Sequence, residues 1–223
     1  MNRRRRLILP VTMSLLALAA LVFAIVATRE SRGGGSAATS STPPATQSAP
    51  AQAPAAQGGF EGAEIPGAPP APPIALSDQY GRAASLSALR GQPIVLGFLY
   101  TRCGGPCEVI AQQIRGALDE LHRPVPVLLV SVDPADDTPP AVRHFLAKVS
   151  LSGRVYYLTG SPAVLAGVWR DYKVRPPSAG AAAFARHANV LLIDGAGRER
   201  VVFGTEQLTP EALAHDIGKL QAG

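Results

Sequence analysis

Two uninterrupted apolar runs constrain this chain most: Ile94-Val95-Leu96-Gly97-Phe98-Leu99-Tyr100 and Val127-Leu128-Leu129-Val130-Ser131-Val132. Strands without polar alternation are covered on both faces, which is the setting of a parallel sheet. Parallel neighbours need a crossover connection, usually a helix. A helical pattern from about Glu108 to Leu121 lies between the runs and is broken by Pro124 and Pro126. The first run leads straight into Tyr100-Thr101-Arg102-Cys103-Gly104-Gly105-Pro106-Cys107, which holds the only two cysteines of the chain.

A strand that delivers two thiols to the first turn of a helix is a reactive arrangement, because the helix dipole favours thiolate there. Arg102 adds a neighbouring positive charge, the glycines permit unusual backbone angles, and Pro106 suits a helix start. Three readings stay open at this point. A structural disulfide gains little entropy from so short a loop. A redox pair is the second reading. A soft-metal site is the third, since thiolates select Cu(I) or zinc. The spacing is one residue wider than the Cys-x-x-Cys of thioredoxin-type exchange.

The formal charge of +5 belongs to the N-terminus. Arg3, Arg4, Arg5, Arg6 and Arg29 precede any acid, leaving 16 basic and 16 acidic residues in the remainder. A neutral remainder gives no support to nucleic-acid binding. Leu7 to Ala27 carries no charge and would span roughly 30 Å as a helix, one bilayer core. The arginines before it would stay in the cytoplasm and place the C-terminal part of the chain outside. A cleaved signal peptide ending near Val22-Phe23-Ala24 is the alternative, but signal cores are shorter, about 7 to 15 residues. The expectation is therefore residues 1–29 as an Arg cluster with an uncleaved single-pass anchor (7–27) in the inner, cytoplasmic membrane. The domain would face the periplasm or extracytoplasmic side. An unprotected thiol pair tends to oxidise there, so a function needs a reductant or a bound metal.

Residues 30–73 are rich in Pro, Ala, Ser, Gly, Thr and Gln. Such a segment cannot bury enough surface to offset its ordering entropy and reads as a disordered tether. Phe60 to Ile65 is its one candidate for packing on the domain. The domain is expected over 74–221. Ile74 to Arg82 reads as a hairpin turning at Asp78 and Gly81, and Leu86 to Leu89 as a helical turn ended by Gly91. Helices start at the caps Thr138-Pro139, Ser161-Pro162 and Thr209-Pro210. Val155 to Leu158 and Ala188 to Ile193 are strands, and Asp194-Gly195-Ala196-Gly197 turns into a last strand, Arg198 to Phe203. Alternating strands and helices that finish on a hairpin describe an α/β, thioredoxin-like layout with an N-terminal β-hairpin.

Phe98-Leu99-Tyr100-Thr101-Arg102-Cys103-x-x-x-Cys107, Ser131-Val132-Asp133-Pro134-x-x-Asp137-Thr138-Pro139, and His187 before Leu191-Leu192-Ile193-Asp194-x-x-Gly197 together resemble the Sco/SenC family over nearly all of 74–221. That resemblance implies a thioredoxin-fold copper protein that helps assemble the dinuclear copper centre of cytochrome c oxidase. It implies Cys103, Cys107 and His187 as ligands of copper, as Cu(I) or Cu(II), and matches Asp133 to the family's Val-Asp-Pro aspartate. Glu108 stands where the family usually has proline, and Gly-Gly-Pro replaces its polar residue between the cysteines. The implied partners are the copper-bearing oxidase subunit, a copper donor protein or thiol reductant, and the membrane through the N-terminal helix. Such a chaperone is not an enzyme. The rival role is a thiol-disulfide oxidoreductase that needs Cys103 and Cys107 as a redox-active disulfide but not His187. Thr101-x-Cys103 also resembles part of a peroxiredoxin motif, a third class that the surrounding sequence fits less well. The Pro/Gly/Ala-rich loop from Arg175 to Ala183 is expected to move with His187 and let metal pass. His122, His144 and His215 read as surface or cap residues, the three aspartates as turn and cap formers, and Trp169 with Tyr172 as core.

Overall fold

The computed structural model describes residues 59–177, 183–184 and 186–223. The expected anchor (7–27) and most of the expected tether lie outside them. No helix among the described residues is long and apolar enough to cross a membrane.

The two apolar runs form β4 (Ile94–Leu99) and β5 (Val127–Ser131), paired in parallel at the centre of the main sheet. Every residue of both strands is buried, which explains why neither alternates polar with apolar. Their crossover is helix α1 (Gly105–Glu120), and α2 (Pro139–Lys148) carries the chain on to β6 (Tyr156–Leu158), again parallel. After α3 (Pro162–Asp171) the sheet turns antiparallel with β7 (Asn189–Ile193) on β4 and β8 (Glu199–Gly204) on β7. The closing helix α4 (Pro210–Ala222) packs against α1. With β1 (Ala63–Glu64) the order across the sheet is β1-β8-β7-β4-β5-β6.

The N-terminal hairpin is β2 (Ala75–Ser77) with β3 (Ala83–Ser85), turned at Asp78 as expected. Asp78 accepts from the backbone N–H groups of Tyr80 and Arg82 and pairs with the Arg82 guanidinium at 2.7 Å. Thr138, Ser161 and Thr209 each accept a backbone N–H in the first turn of α2, α3 and α4, and proline follows each cap. One core runs through the domain, with Leu96, Phe98, Leu129, Tyr157, Phe203 and Ile217 among its buried members.

The domain begins before the expected boundary at 74. Ala63 and Glu64 pair antiparallel with Val202 and Val201. Further along, Ile65 N–H donates to Arg200 O at 2.9 Å and Ala71 N–H to Gly197 O at 2.9 Å. The buried carboxylate of Asp216, on α4, accepts from the N–H groups of Glu61 and Gly62 at 2.8 and 2.9 Å. Phe60 lies beneath the cations of Arg200 and Lys219, so the expected packing of Phe60 to Ile65 is present. Gly62 passes so close that a Cβ there would lie 2.5 Å from Val201 Cγ1. Beyond Ile65 composition gives no sign of the attachment, because that part is held by backbone hydrogen bonds such as Ala71 N–H to Gly197 O and Glu199 N–H to Pro69 O. The segment also covers the edge of β8, which would otherwise offer open backbone groups to another chain.

Asp216→Ala strips two N–H groups of a charged acceptor, and it is expected to lower the unfolding free energy by about 2 kcal/mol. Urea unfolding measures the loss, and faster amide exchange confined to residues 61–65 would locate it. Unchanged exchange there would mean that Asp216 does not hold this segment.

Candidate metal and thiol site

The site is built where β4 runs out. Tyr100 is still extended (φ −146°, ψ 152°), Thr101–Cys103 makes one 3-10 turn, and Gly104 (φ 68°) reverses the chain into α1. A positive φ of that size suits glycine and few other residues. The helix begins at Gly105, three residues earlier than its apolar periodicity indicated, so Cys107 sits inside its first turn. Pro106 in that turn sacrifices no hydrogen bond, since the first N–H groups of a helix have no intrahelical partner.

Cys103 and Cys107 are joined as a disulfide, S–S 1.97 Å and Cα–Cα 5.6 Å. Both residues are buried, at 2% and 0% exposure. Neither sulfur is presented to solvent, so chemistry at the pair requires the turn to open or a partner to displace its neighbours. Arg102 does not simply face the sulfurs as an added charge. It pairs with Asp136 at 2.8 Å across an exposed gap, where such pairs contribute little. Glu108 pairs with Lys148 of α2 at 2.7 Å.

What holds the turn in place is Asp137. This carboxylate is 2% exposed and accepts three hydrogen bonds: from Thr101 N–H at 2.7 Å, Ser131 Oγ at 2.6 Å and the Tyr157 hydroxyl at 2.8 Å. It therefore ties the cysteine turn to β5 and β6 at once. Its own N–H donates to Asp133 O at 2.9 Å, so the expected turn is present as well. Burial raises the Asp133 carboxyl above its ordinary range, with Asp136 and Asp137 adding to the effect. Burial likewise raises the Tyr157 hydroxyl well above its usual value, with Asp137 reinforcing it. Tyr100 shifts upward for the same reasons, burial first and then Asp133 and Asp137.

His187 lies on an exposed turn just before β7, its N–H donating to Phe184 O at 2.9 Å. Phe184 is buried edge-on against Tyr100, ring centroids 5.4 Å apart. The histidine turn is thus anchored to the residue immediately before the cysteine turn. His187 helps line a cavity of about 690 Å³ that neither cysteine lines. The structure unites the two cysteines and leaves His187 on the neighbouring turn. Among the described residues, no three of His, Cys, Asp and Glu are gathered closely enough to hold a metal ion. His122 and His144 are exposed, and His215 bonds Asp216 at 2.9 Å. Trp169 Nε1 donates to Ser131 O, and Tyr172 packs on Phe98 while donating to Pro72 O, as structural residues do.

Two contributors were not assigned a role in the site from the sequence. Asp137 stands within the family-like pattern and reads as a turn and cap former, not as the acceptor that holds the cysteine turn. Phe184 was readable as a lone aromatic in an alanine-rich stretch, a composition that asks for a docking partner.

Residues 64–222 match the family model described as SCO1/SenC. No curated protein matches the chain. Among solved structures it is similar to ScoI of Bradyrhizobium japonicum with copper bound, at 27% identity and a TM-score of 0.51 over 67% of this chain and 98% of that one. It is similar to BsSco, described as a Sco-family cytochrome c oxidase assembly protein with a disulfide switch, at 20% identity and a TM-score of 0.60, covering 69% and 94%. ScoI of Arabidopsis thaliana with copper bound gives 22% identity and a TM-score of 0.54, covering 67% and 96%. The last two likenesses concern the fold alone.

Asp137→Ala leaves three donors without their acceptor, and it is expected to lower stability by roughly 3 kcal/mol; Tyr157→Phe, which removes one, costs about 1 kcal/mol. Freed from Asp137, the cysteine turn should also be reduced faster by dithiothreitol. A loss of stability with an unchanged reduction rate would show that Asp137 supports the sheet without governing the turn.

Proposed function

The chain belongs to the SCO1/SenC family, and from that premise we propose that it is a membrane-tethered copper chaperone. It delivers copper to the dinuclear copper centre of cytochrome c oxidase from the extracytoplasmic side of the inner membrane. The observation that carries the reading is the cysteine pair at the mouth of α1, held at a Cα–Cα distance of 5.6 Å. Copper is the cargo. Cys103 and Cys107 supply two thiolates once the disulfide is reduced, and His187 supplies an imidazole. Two soft sulfurs and one nitrogen suit Cu(I) and admit Cu(II). The helix N-terminus favours the thiolates.

Loading begins with reduction: a dithiol donor gives two electrons and two protons to the S–S bond and leaves as its own disulfide. Binding copper then releases the two thiol protons. His187 has to approach the sulfurs, and its N–H bond to Phe184 together with the Phe184–Tyr100 ring contact supports that approach. Delivery is ligand exchange with the oxidase subunit and makes or breaks no bond in a substrate. The uncharged stretch from Leu7 to Ala27 supports the tether.

The disulfide itself supports a second reading, a thiol-disulfide oxidoreductase that reduces cysteines of an oxidase subunit or another exported protein. That reaction needs both sulfurs and no imidazole.

The reduced chain is expected to bind one copper per molecule. Cys103→Ser or Cys107→Ser should abolish binding, and His187→Ala should weaken it at least about tenfold, as loss of a ligand or its support does. Copper titration against a competing chelator reads all three. A His187→Ala protein with undiminished affinity and intact reductase activity would favour the second reading.

A further inference from the structure

Two cavities meet at Arg186. The smaller, about 340 Å³, lies on the first turns of α1, with Pro106, Val109, Ile110 and Leu208 as its apolar wall. Pro106 directly precedes Cys107, so this groove begins beside the disulfide. Val109 is 52% exposed, an unusual position for a large aliphatic side chain on a helix with a buried face. The larger cavity continues on the other side of Arg186 and is lined by Lys173, Arg175 and His187 over the rings of Phe98, Tyr172 and Phe184. No carboxylate among the described residues lines either cavity. Among the described residues, none of Lys173, Arg175 and Arg186 takes part in an ion pair. Burial raises the Glu199 carboxyl above its ordinary range, and the charge of nearby Lys173 only partly opposes that. The chain beyond its first 29 residues carries equal numbers of acids and bases, so this cationic wall is a local concentration.

Buried sulfurs are served by a protein that first docks beside them. We propose that the two cavities form one docking groove for an extended acidic segment of the partner protein. An aliphatic side chain of that segment sits over Pro106, Val109 and Leu208, and its carboxylates run past Arg186 toward Lys173 and Arg175. Charge complementarity selects the acidic occupant and speeds its arrival. An extended chain fits because its side chains reach separate anchor points on one surface. The inference deepens the proposed function, since it rests on the cysteine pair as the centre where the partner is served. The docking itself requires neither copper nor reduced sulfurs.

The test uses the oxidised, metal-free full-length chain in mild detergent and a fluorescein-labelled nonapeptide of one leucine followed by alternating serine, aspartate and glutamate, read by fluorescence anisotropy. The peptide should bind and weaken with added salt. Arg186→Glu and Val109→Asp, both at exposed side chains, should each weaken binding by about tenfold. Replacing the leucine by serine, or the acids by their amides, should do the same while leaving the protein untouched. Binding indifferent to Arg186→Glu or to the leucine would overturn the groove. So would an absence of peptide binding, including the case in which short-chain phosphatidylglycerol binds in its place and reassigns the cations to a lipid surface. None of these results bears on the copper titration, so the docking groove and the metal site fail separately.

Discussion

A carboxylate taken out of water is costly unless hydrogen bonds replace its hydration. Asp137 is in that position, and its three donors come from three different parts of the chain: the cysteine turn, β5 and β6. The sheet could form from its apolar runs alone. The placement of the turn relative to the sheet could not, because Thr101–Cys103 contributes only one buried apolar residue, Cys103, to the core. Satisfying Asp137 fixes that turn, Gly104 then reverses the chain, and the first turn of α1 brings Cys107 up to Cys103. The placement of the cysteine pair therefore depends on a polar contact inside a largely apolar core.

The opposite side of the sheet is finished differently. Residues 60–73 cover the outer edge of β8 and are pinned by Asp216 of α4. Sealing that edge prevents strand-to-strand association of copies. The disulfide, the histidine turn and the cationic cavity gather at the C-terminal end of β4, with both cysteines buried and the histidine turn exposed. Phe184 against Tyr100 joins the last two of these to the first.

Much of this was legible in the sequence where the physics is local. Unbroken apolar runs announced β4 and β5, and Thr138, Ser161 and Thr209 announced three helices because a capping hydroxyl followed by proline serves one backbone geometry. The paired cysteines were legible because a strand-like run delivers them to the start of a helix. What escaped was non-local. The start of α1 at Gly105 was signalled by Pro106 but not by apolar periodicity, which sets in only near Glu108. The attachment beyond Ile65 resides in backbone bonds, such as Ala71 N–H to Gly197 O, that any composition could make. Asp137 resembled every other aspartate in a loop, since its three donors lie up to 36 residues away along the chain. The position of His187 relative to the sulfurs is a further case: sequence could nominate it, but only the fold puts it on the turn that Phe184 anchors beside Tyr100.

The proposed copper role requires two sulfurs and one ring nitrogen to serve a single soft ion once the disulfide is opened. X-ray absorption at the copper edge of the reduced, Cu(I)-loaded chain tests this directly. The account predicts a first shell of two sulfur scatterers and one imidazole nitrogen, with the nitrogen lost in His187→Ala. A shell of sulfur alone, or an imidazole contribution that persists in that variant, would contradict it.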